Sequence, residues 1–300
     1  TQRMNGKTVI GKWTRALLSN GERQLLDTLL DRPDVHLFDE IAEVDVGIVT
    51  GANKFFLVDD ETVDRYKLQE FAHPMFGRSE HCPGIIYDER QHQANAEKGK
   101  PTNFIWFKES LLKPSESVRE YIEWGEGQDL HSRYKCRIRK PWYSVPSVYS
   151  TEIGMLKRSH DTPRLIHNRL DAFTTDTAYR ISSKTVDSET LIYCFLNSLT
   201  ALSAELEGRH YGGGVLELVP SEIEKLLLPI PVEIRPNLSK LDAMVRTLSA
   251  AEVLEQQNEA VLGALGLSKA QQGDLLAAWL RMKNRRQRIS EDDEVSQFQS

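Results

Sequence analysis

The sequence predicts a mixed α+β fold, in which a largely antiparallel, twisted sheet packs against helices and a C-terminal helical pair follows. Short runs rich in β-branched and aromatic residues recur between residues 41 and 181, which is typical of strands. Beyond residue 188 the apolar residues recur at helical spacing, as in SETLIYCFLNSLTALSAELEG. We therefore expect no doubly wound parallel sheet with a glycine-rich first turn.

The length and composition predict a globular chain with a sizeable core. It has 300 residues, of which 40% are hydrophobic, enough for one large domain or two of ordinary size. We predict an α+β domain over residues 1–235, a C-terminal helical segment over 236–289 and a disordered tail over 290–300.

No targeting or metal-binding pattern is evident in the sequence. It contains no apolar run of about 18 residues and no signal-peptide core, which predicts a cytoplasmic protein without a membrane span. Cys82, Cys136 and Cys194 lack Cys-x-x-Cys spacing, so we predict unpaired thiols and no metal site.

The element order follows from local patterns. Single helices are predicted over residues 188–207, over ETVDRYKLQEF, and over SESVREYIEWGEG with its end at Gly125. Residues 88–101 read as a surface loop, while PSVYS, RLIHN and TAYRISS read as strands. Two amphipathic helices broken at Gly266 are predicted after Pro236.

The charge is unevenly distributed. The net charge is −6, yet the segment from His131 to Arg169 contains nine basic and two acidic residues. A basic segment on an acidic background is compatible with a polyanion lying along one face.

Within this segment, HSRYKCRIRKPWYSVP alternates cations with less polar residues, which predicts a strand with four cations on one face. Such a row repels itself unless an anion neutralises it, although acidic neighbours elsewhere in the fold are the alternative. Trp142 and Tyr143 could contact bases or sugars, but single aromatic residues more often pack in a core. The candidate ligand-binding cations are Arg133, Lys135, Arg137, Arg139 and Lys140.

A second candidate segment is VDVGIVTGANKFFLVDD, residues 44–60. It is not a phosphate loop, because that motif needs Gly-Lys-Ser/Thr leading into a helix. We predict a hairpin whose turn offers polar atoms to a partner. The alternative is an ordinary hairpin with no binding role. Its exposed turn would present Thr50, Gly51, Asn53 and Lys54.

The third candidate segment is RHYGGGVLELVP, whose glycines would let a ligand approach the backbone closely. The alternative is a flexible turn, and His210 has no partner at zinc-ligand spacing. The candidate residues are Arg209, His210, Tyr211, Gly212 and Gly213.

Recognisable catalytic motifs are missing from the sequence. It has no Gly-x-Gly-x-x-Gly after a strand, no Gly-x-Ser-x-Gly, no His-Glu-x-x-His and no EF-hand loop. We therefore predict no catalytic residue in this chain.

Four segments together resemble the C-terminal, target-recognition half of TaqI-like, gamma-class N6-adenine DNA methyltransferases from restriction-modification systems. The resemblance covers roughly residues 13 to 288. The segments are, in order, VDVGIVTGANKFFLVD, RKPWYSVP, PRLIHNRLDAFTTDTAYRI and LNSLTALSAELEGRHYGGGVLELVPSEIEKLLLPIP.

The resemblance implies a DNA-recognition function for residues 1–235, with double-stranded DNA as partner and Asn168 as a further contact. In that family an N-terminal domain binds S-adenosylmethionine and carries an Asn-Pro-Pro-Tyr motif. This sequence has neither feature, which implies no cofactor here and a catalytic half elsewhere, in the same protein or in another subunit.

Two other readings stay open. A type I-like specificity subunit would share the hairpin and long helix, although a second copy of that pattern is missing. A module that binds another acidic partner would share the basic segment.

Overall fold

The computed structural model describes residues 12–107 and 114–288, and it confirms the mixed α+β class. The predicted tail at residues 290–300 lies outside the described residues. The chain divides into two compact units. Unit 1 comprises Thr1–Val44, Met155–Leu165 and Ser182–Ser300, and unit 2 comprises Asp45–Gly154 and Ile166–Ile181.

The α-helices of the described residues are, in chain order, α1 (Asn20–Leu30), α2 (Phe38–Ile41), α3 (Asn53–Phe56), α4 (Asp60–Arg65), α5 (Glu89–Ala96), α6 (Glu116–Gly127), α7 (Tyr134–Arg137), α8 (Ser188–Phe195), α9 (Ser198–Glu207), α10 (Pro220–Ile223), α11 (Leu238–Thr247), α12 (Ala250–Val261) and α13 (Lys269–Gln287). Short 3-10 helices cover Trp13–Leu17, Gln69–Phe71 and Ser79–His81.

The strands are β1 (Val35–Leu37), β2 (Ala42–Val46), β3 (Leu57–Val58), β4 (Ala72–Phe76), β5 (Ile86–Tyr87), β6 (Asn103–Ile105), β7 (Ile153–Leu156), β8 (Arg158–Ser159), β9 (Leu165–Asn168), β10 (Phe173–Thr174), β11 (Ala178–Ser183), β12 (Arg209–Tyr211), β13 (Val215–Glu217) and β14 (Leu227–Pro229). They form several sheets, whereas the sequence predicted one.

Unit 1 is mainly helical. Helix α9 packs against α13 and β14, and α12 packs against α11 and α13. Strand β14 pairs antiparallel with β1, and β12, β13 and β8 form a three-stranded antiparallel sheet. The apolar faces of these helices are thereby buried, which supplies most of their stability.

Two helix predictions for unit 1 were wrong. The single helix over residues 188–207 is two helices, because Asn197 begins α9 as an N-cap whose side chain accepts a hydrogen bond from the Thr200 amide. The first of the two helices predicted after Pro236 is also split, since Ser249 begins α12 with a capping box. A Ser or Asn within an apolar pattern marked both breaks.

Unit 2 is built around an aromatic core that includes Phe55, Phe56, Phe104 and Tyr121. The core lies beside a sheet in the order β10-β4-β6-β3, in which β4 and β6 run antiparallel and β10 and β4 parallel. Helix α6 extends to Gly127 rather than ending at Gly125. A Cβ at Gly125 would lie 2.8 Å from the Phe55 ring, so this glycine makes room for the core.

Three further local predictions for unit 2 were wrong. The hairpin over residues 44–60 is not formed, because Phe55 and Phe56 lie in the helical turn α3 and are fully buried. The predicted loop over 88–101 contains α5, which Asp88 caps at its N-terminus. PSVYS forms no strand, whereas RLIHN and TAYRISS contain β9 and β11.

A five-stranded sheet has the order β2-β11-β7-β9-β5, with β5 and β9 parallel. The chain passes between the two units within four of these strands, β2, β7, β9 and β11. Each unit is therefore assembled from segments that are discontinuous in sequence.

Candidate nucleic-acid interface

The segment from Arg133 to Lys140, called the basic turn below, is helical rather than extended. Helix α7 covers Tyr134–Arg137 and Ile138 follows in helical conformation. The predicted strand was wrong because Cys136, fully buried, anchors one side of a single helical turn. Tyr134 and Ile138 are 64% and 61% exposed, so they share the surface with the cations.

The cations of the basic turn lack acidic partners. Arg133, Lys135, Arg137 and Lys140 are exposed and Arg139 is partly buried. Within residues 12–107 and 114–288, none of the five side chains forms an ion pair with a carboxylate. In the described residues, acidic neighbours therefore do not neutralise the basic turn. An external anion can bind to these cations instead.

Arg139 has an internal role that separates it from the other cations. Its Nη1 donates to the Thr50 carbonyl oxygen at 2.7 Å and its Nη2 to the Val49 carbonyl oxygen at 2.7 Å. Burial lowers the pKa of Arg139 from its ordinary value, yet an arginine stays charged at neutral pH. The guanidinium therefore fixes the segment Val49–Lys54, called the glycine loop below, to the basic turn.

Gly51 allows the close approach of these two segments. It has φ +80° and a Cβ built on it would lie 2.5 Å from the Lys135 Cβ. The Cys136 thiol lies 3.9 Å from the Thr50 carbonyl oxygen, and burial raises its pKa. This thiol is therefore a packing group rather than a nucleophile.

The polar residues of the glycine loop differ in their exposure to solvent. Thr50 is buried and its hydroxyl hydrogen-bonds to the Asn53 side chain. Asn53 and Lys54 are exposed, and the Lys54 Nζ donates to Gln128 Oε1 at 2.8 Å and lies 5.6 Å from the Trp124 ring. Asn53 and Lys54 can therefore reach an external ligand, whereas Thr50 supports the loop.

Trp142 and Tyr143 lie at the edge of the aromatic core. The Trp142 ring is 4.6 Å from the Phe55 ring, and its Nε1 donates to Glu126 Oε1 at 3.0 Å. Tyr143 packs edge-on against Phe107 at 5.3 Å. Packing is the role that these contacts indicate for both residues.

Asn168 is buried and its side chain is fully used inside unit 2. Its Nδ2 donates to the carbonyl oxygens of Thr151 and Ala172, each at 2.9 Å, and its Oδ1 accepts from the Ala172 amide at 3.0 Å. These bonds hold the turn after β9 and use both Nδ2 hydrogens of the buried side chain, which therefore has no N–H left to donate to DNA.

The glycine-rich candidate lies in unit 1, where β12 and β13 form a hairpin around three glycines. Gly213 and Gly214 have φ +77° and +71°, which favours glycine. No atom lies within 4 Å of a Cβ added at Gly212 or Gly213, and Tyr211 is 47% exposed. The tip of this hairpin is accessible, and a ligand contact there stays a prediction.

The cations near this hairpin are neutralised internally, unlike those of the basic turn. Arg209 Nε donates to Glu222 Oε1 at 2.9 Å, and the Glu222 carboxylate raises the pKa of Arg209. Burial alone would raise the pKa of Glu217, but Arg158 and Lys157 lower it below its usual range. His210 Nε2 lies 3.5 Å from Glu205 Oε2.

The candidates therefore fall into separate groups. Within unit 2 the glycine loop and the basic turn lie side by side, joined by the hydrogen bond from Arg139 to Thr50. The Asn168 side chain instead forms hydrogen bonds within unit 2. The residues 209–213 belong to unit 1. Sequence reasoning missed Tyr134 and Ile138 as exposed side chains, although their spacing of four is what a helix needs to present them on one side.

Comparison with known proteins identifies the family. Residues 10–262 match the family described as type II methyltransferase M.Eco57I, C-terminal domain. The chain belongs to this family. The type II methyltransferase M.AccI of Acinetobacter calcoaceticus is 23% identical to this chain over 195 residues, which cover 63% of this chain and 35% of that protein. The chain thus spans about a third of the length of this relative.

A solved structure shares the fold of this chain. The type IIG restriction endonuclease BpuSI superposes with a TM-score of 0.56 at 14% identity, covering 91% of this chain and 33% of that one. At this identity the similarity establishes the fold alone. The resemblance to C-terminal methyltransferase domains expected from the sequence is confirmed at the level of the M.Eco57I family.

Neither a metal-binding cluster nor a membrane-spanning helix is present in the described residues. Over residues 12–107 and 114–288, no cluster of three His, Cys, Asp or Glu side chains is arranged to hold a metal ion. In the same described part, no helix has the length and apolar character needed to cross a bilayer.

Proposed function

We propose that this chain is the sequence-specific DNA-recognition module of an S-adenosylmethionine-dependent, TaqI-like, gamma-class adenine-N6 DNA methyltransferase from a restriction-modification system. Its partners are double-stranded DNA and an N-terminal methyltransferase domain of the same protein. The cofactor and the catalytic residues belong to that domain. Membership of the M.Eco57I C-terminal domain family supports this function.

The observation that carries this function is the unneutralised charge of the basic turn. Arg133, Lys135, Arg137 and Lys140 are exposed, and none forms an ion pair within the described residues. Like charges this close together repel each other, and DNA phosphates would relieve that repulsion. In unit 1, by contrast, Arg209 is held by the carboxylate of Glu222.

The division of labour between the two partners has a physical reason. Methylation of a base inside a duplex requires that base to be flipped out, at a cost of a few kcal/mol of lost stacking and pairing. A rigid module that grips the flanking sequence can supply this energy. Cations would contact phosphates, while Asn53 and Lys54 would reach base edges and carry sequence preference.

The test is a salt-series binding titration with the full-length methyltransferase on cognate and scrambled duplexes. In the triple variant Arg133→Ala/Lys135→Ala/Arg137→Ala we expect the slope of log K against log salt to lose about 2 to 3 units, equally for both duplexes. Asn53→Ala should instead reduce the difference in binding free energy between the cognate and the scrambled duplex. The reduction is about 1–3 kcal/mol if a bidentate base contact is lost.

The matched control is Arg90→Ala/Lys98→Ala/Arg119→Ala, which removes three exposed cations from the same unit. We expect its salt slope to equal that of the wild type, because these three cations lie outside the basic turn that we propose as the phosphate contact. Equal slopes for the two triple variants would contradict the DNA function of the basic turn and favour a module for another acidic partner.

A further inference from the structure

The basic turn combines unpaired charge with strongly exposed apolar surface. Tyr134 and Ile138 are 64% and 61% exposed, more than every other large hydrophobic residue of the described chain except Val232. Folding does not explain this exposure, because the buried side of the turn is occupied by Cys136. Apolar side chains that are adjacent, exposed and accompanied by cations form a surface on which a partner could bind.

The two side chains lie together on one face of the turn. Residues four apart in a helical turn are neighbours, so Tyr134 and Ile138 project from the same side. The Lys135 Nζ and the Arg137 guanidinium carbon lie 5.8 Å and 5.5 Å from the Tyr134 ring. The aromatic ring is therefore flanked by cations, as on surfaces where bases stack beside a phosphate backbone.

The support beneath these side chains is rigid. Arg139, directly after Ile138, donates to two backbone carbonyl oxygens of the glycine loop. Gly51 lets that loop approach the Lys135 Cβ closely. A support of this kind fixes the backbone that carries the two apolar side chains, which lowers the ordering cost at binding.

We propose that Tyr134 and Ile138 form an apolar wedge that enters the base stack of bound duplex DNA and opens one base step. Ile138 has no polar side-chain atom and cannot recognise a phosphate, so its contact on a polyanion must be with a base or sugar. Inserted apolar side chains unstack a base step while neighbouring cations hold the backbone. This wedge rests on the proposed DNA-recognition function.

The test compares the double variant Tyr134→Ala/Ile138→Ala with Tyr134→Phe in the full-length methyltransferase on cognate duplex. The double variant should bind roughly tenfold to hundredfold more weakly, with the salt slope of the wild type, because stacking carries no phosphate charge. Tyr134→Phe keeps the ring and should bind like the wild type. Val232→Ala removes an exposed apolar side chain of unit 1 and serves as the matched control.

A second readout uses duplexes with a single abasic position moved stepwise through the cognate site, with the methylated base always left intact, because flipping of that base would by itself favour an abasic position there. Wild-type protein should bind one of them more tightly than intact duplex, because stacking is already lost there. The double variant should lose this preference. Its retention in the double variant, or its lack in the wild type, would overturn the wedge.

Three further results would overturn the wedge. The first two are, for the Tyr134→Ala/Ile138→Ala variant, an affinity equal to that of the wild type, or a salt slope that falls together with the affinity. The third is a lower unfolding midpoint of this variant, which would mean that other parts of the protein cover these side chains. The proposed function is tested separately, because it fails only when the Arg133/Lys135/Arg137 variant keeps its salt slope. If the triple variant loses the salt slope but the Tyr134/Ile138 double variant binds DNA like the wild type, the wedge is wrong and the proposed function stands.

Discussion

Arg139 and Thr50 are joined by a hydrogen bond of 2.7 Å from the arginine Nη1 to the threonine carbonyl oxygen, across 89 positions of sequence. The second arm of the same guanidinium donates to Val49 at 2.7 Å. One planar side chain thus determines where the glycine loop stands beside the basic turn. Its neighbour Arg137 lacks such contacts among the described residues and lies exposed.

We expect Arg139→Ala to lower the free energy of unfolding by about 1–3 kcal/mol, because it leaves the buried Thr50 carbonyl without its donor. Arg137→Ala should change it by less than about 0.5 kcal/mol, since that side chain is exposed. Urea denaturation of both variants measures the difference. Equal losses in the two would contradict a structural role specific to Arg139.

Gly51→Ala should displace the basic turn from the glycine loop. Ala at φ +80° costs about 1–2 kcal/mol, and collision with the Lys135 Cβ adds about 1–3 kcal/mol. Gly99→Ala is the control, because Gly99 has φ +65° and open space around its Cβ position. Thermal unfolding should show the larger loss for Gly51→Ala; matching losses would mean that the collision is relieved at little cost.

Removal of one partner of a buried ion pair should strongly destabilise unit 1. Arg286 and Glu205 are both 0% exposed in their side chains and lie 2.8 Å apart, and Arg286 also donates to the Gly214 carbonyl. Arg286→Met should cost about 3–5 kcal/mol, because it leaves a buried carboxylate uncompensated. Adding Glu205→Gln should restore part of this loss in denaturant titrations. No restoration would show that the backbone contacts of Arg286 account for the loss.

His81 should make stability depend on acid pH. Burial lowers its pKa to about 4 from 6.5, and within the described residues neither ring nitrogen has a hydrogen-bond partner. As pH falls below 6.5 the unfolded chain takes up a proton that the folded chain refuses, so stability present above pH 6.5 is lost towards pH 4. This contribution is at most about 3 kcal/mol.

The variant His81→Leu isolates this effect from the other histidines. Its free energy of unfolding should equal or exceed that of the wild type at pH 7, and should exceed it by about 2 kcal/mol more at pH 5. Denaturant titrations at the two pH values give the comparison. A difference independent of pH would mean that His81 is protonated equally in both states.

The fold class could be predicted because its signals are local. Amphipathic spacing indicated the helices beyond residue 188, and β-branched runs indicated β9 and β11. Phe55 and Phe56 misled the prediction, since burial among Phe104 and Tyr121 outweighed their strand propensity.

The candidate site was only partly predictable, since its geometry depends on distant pairs. Alternating charge in the basic turn suggested a strand, but the bonds of Arg139 to the glycine loop hold a helical turn there. The hydrogen bonds from the Asn168 side chain to the carbonyl oxygens of Thr151 and Ala172 could not be predicted from any local sequence pattern. The binding role of the basic-turn cations therefore stays a prediction, whereas the strand predicted for them was wrong.

Under the proposed DNA-recognition function, the passage of the chain between the units constrains how target preference could be exchanged between related chains. A transplant of residues 45–181 as one block would also import Met155–Leu165, which belongs to unit 1. There, Ser159 pairs with Leu216, and Arg286 donates to the His160 carbonyl oxygen. A chimera with new target preference therefore needs four splice points, which exchange Asp45–Gly154 and Ile166–Ile181 and keep the intervening eleven residues of the recipient.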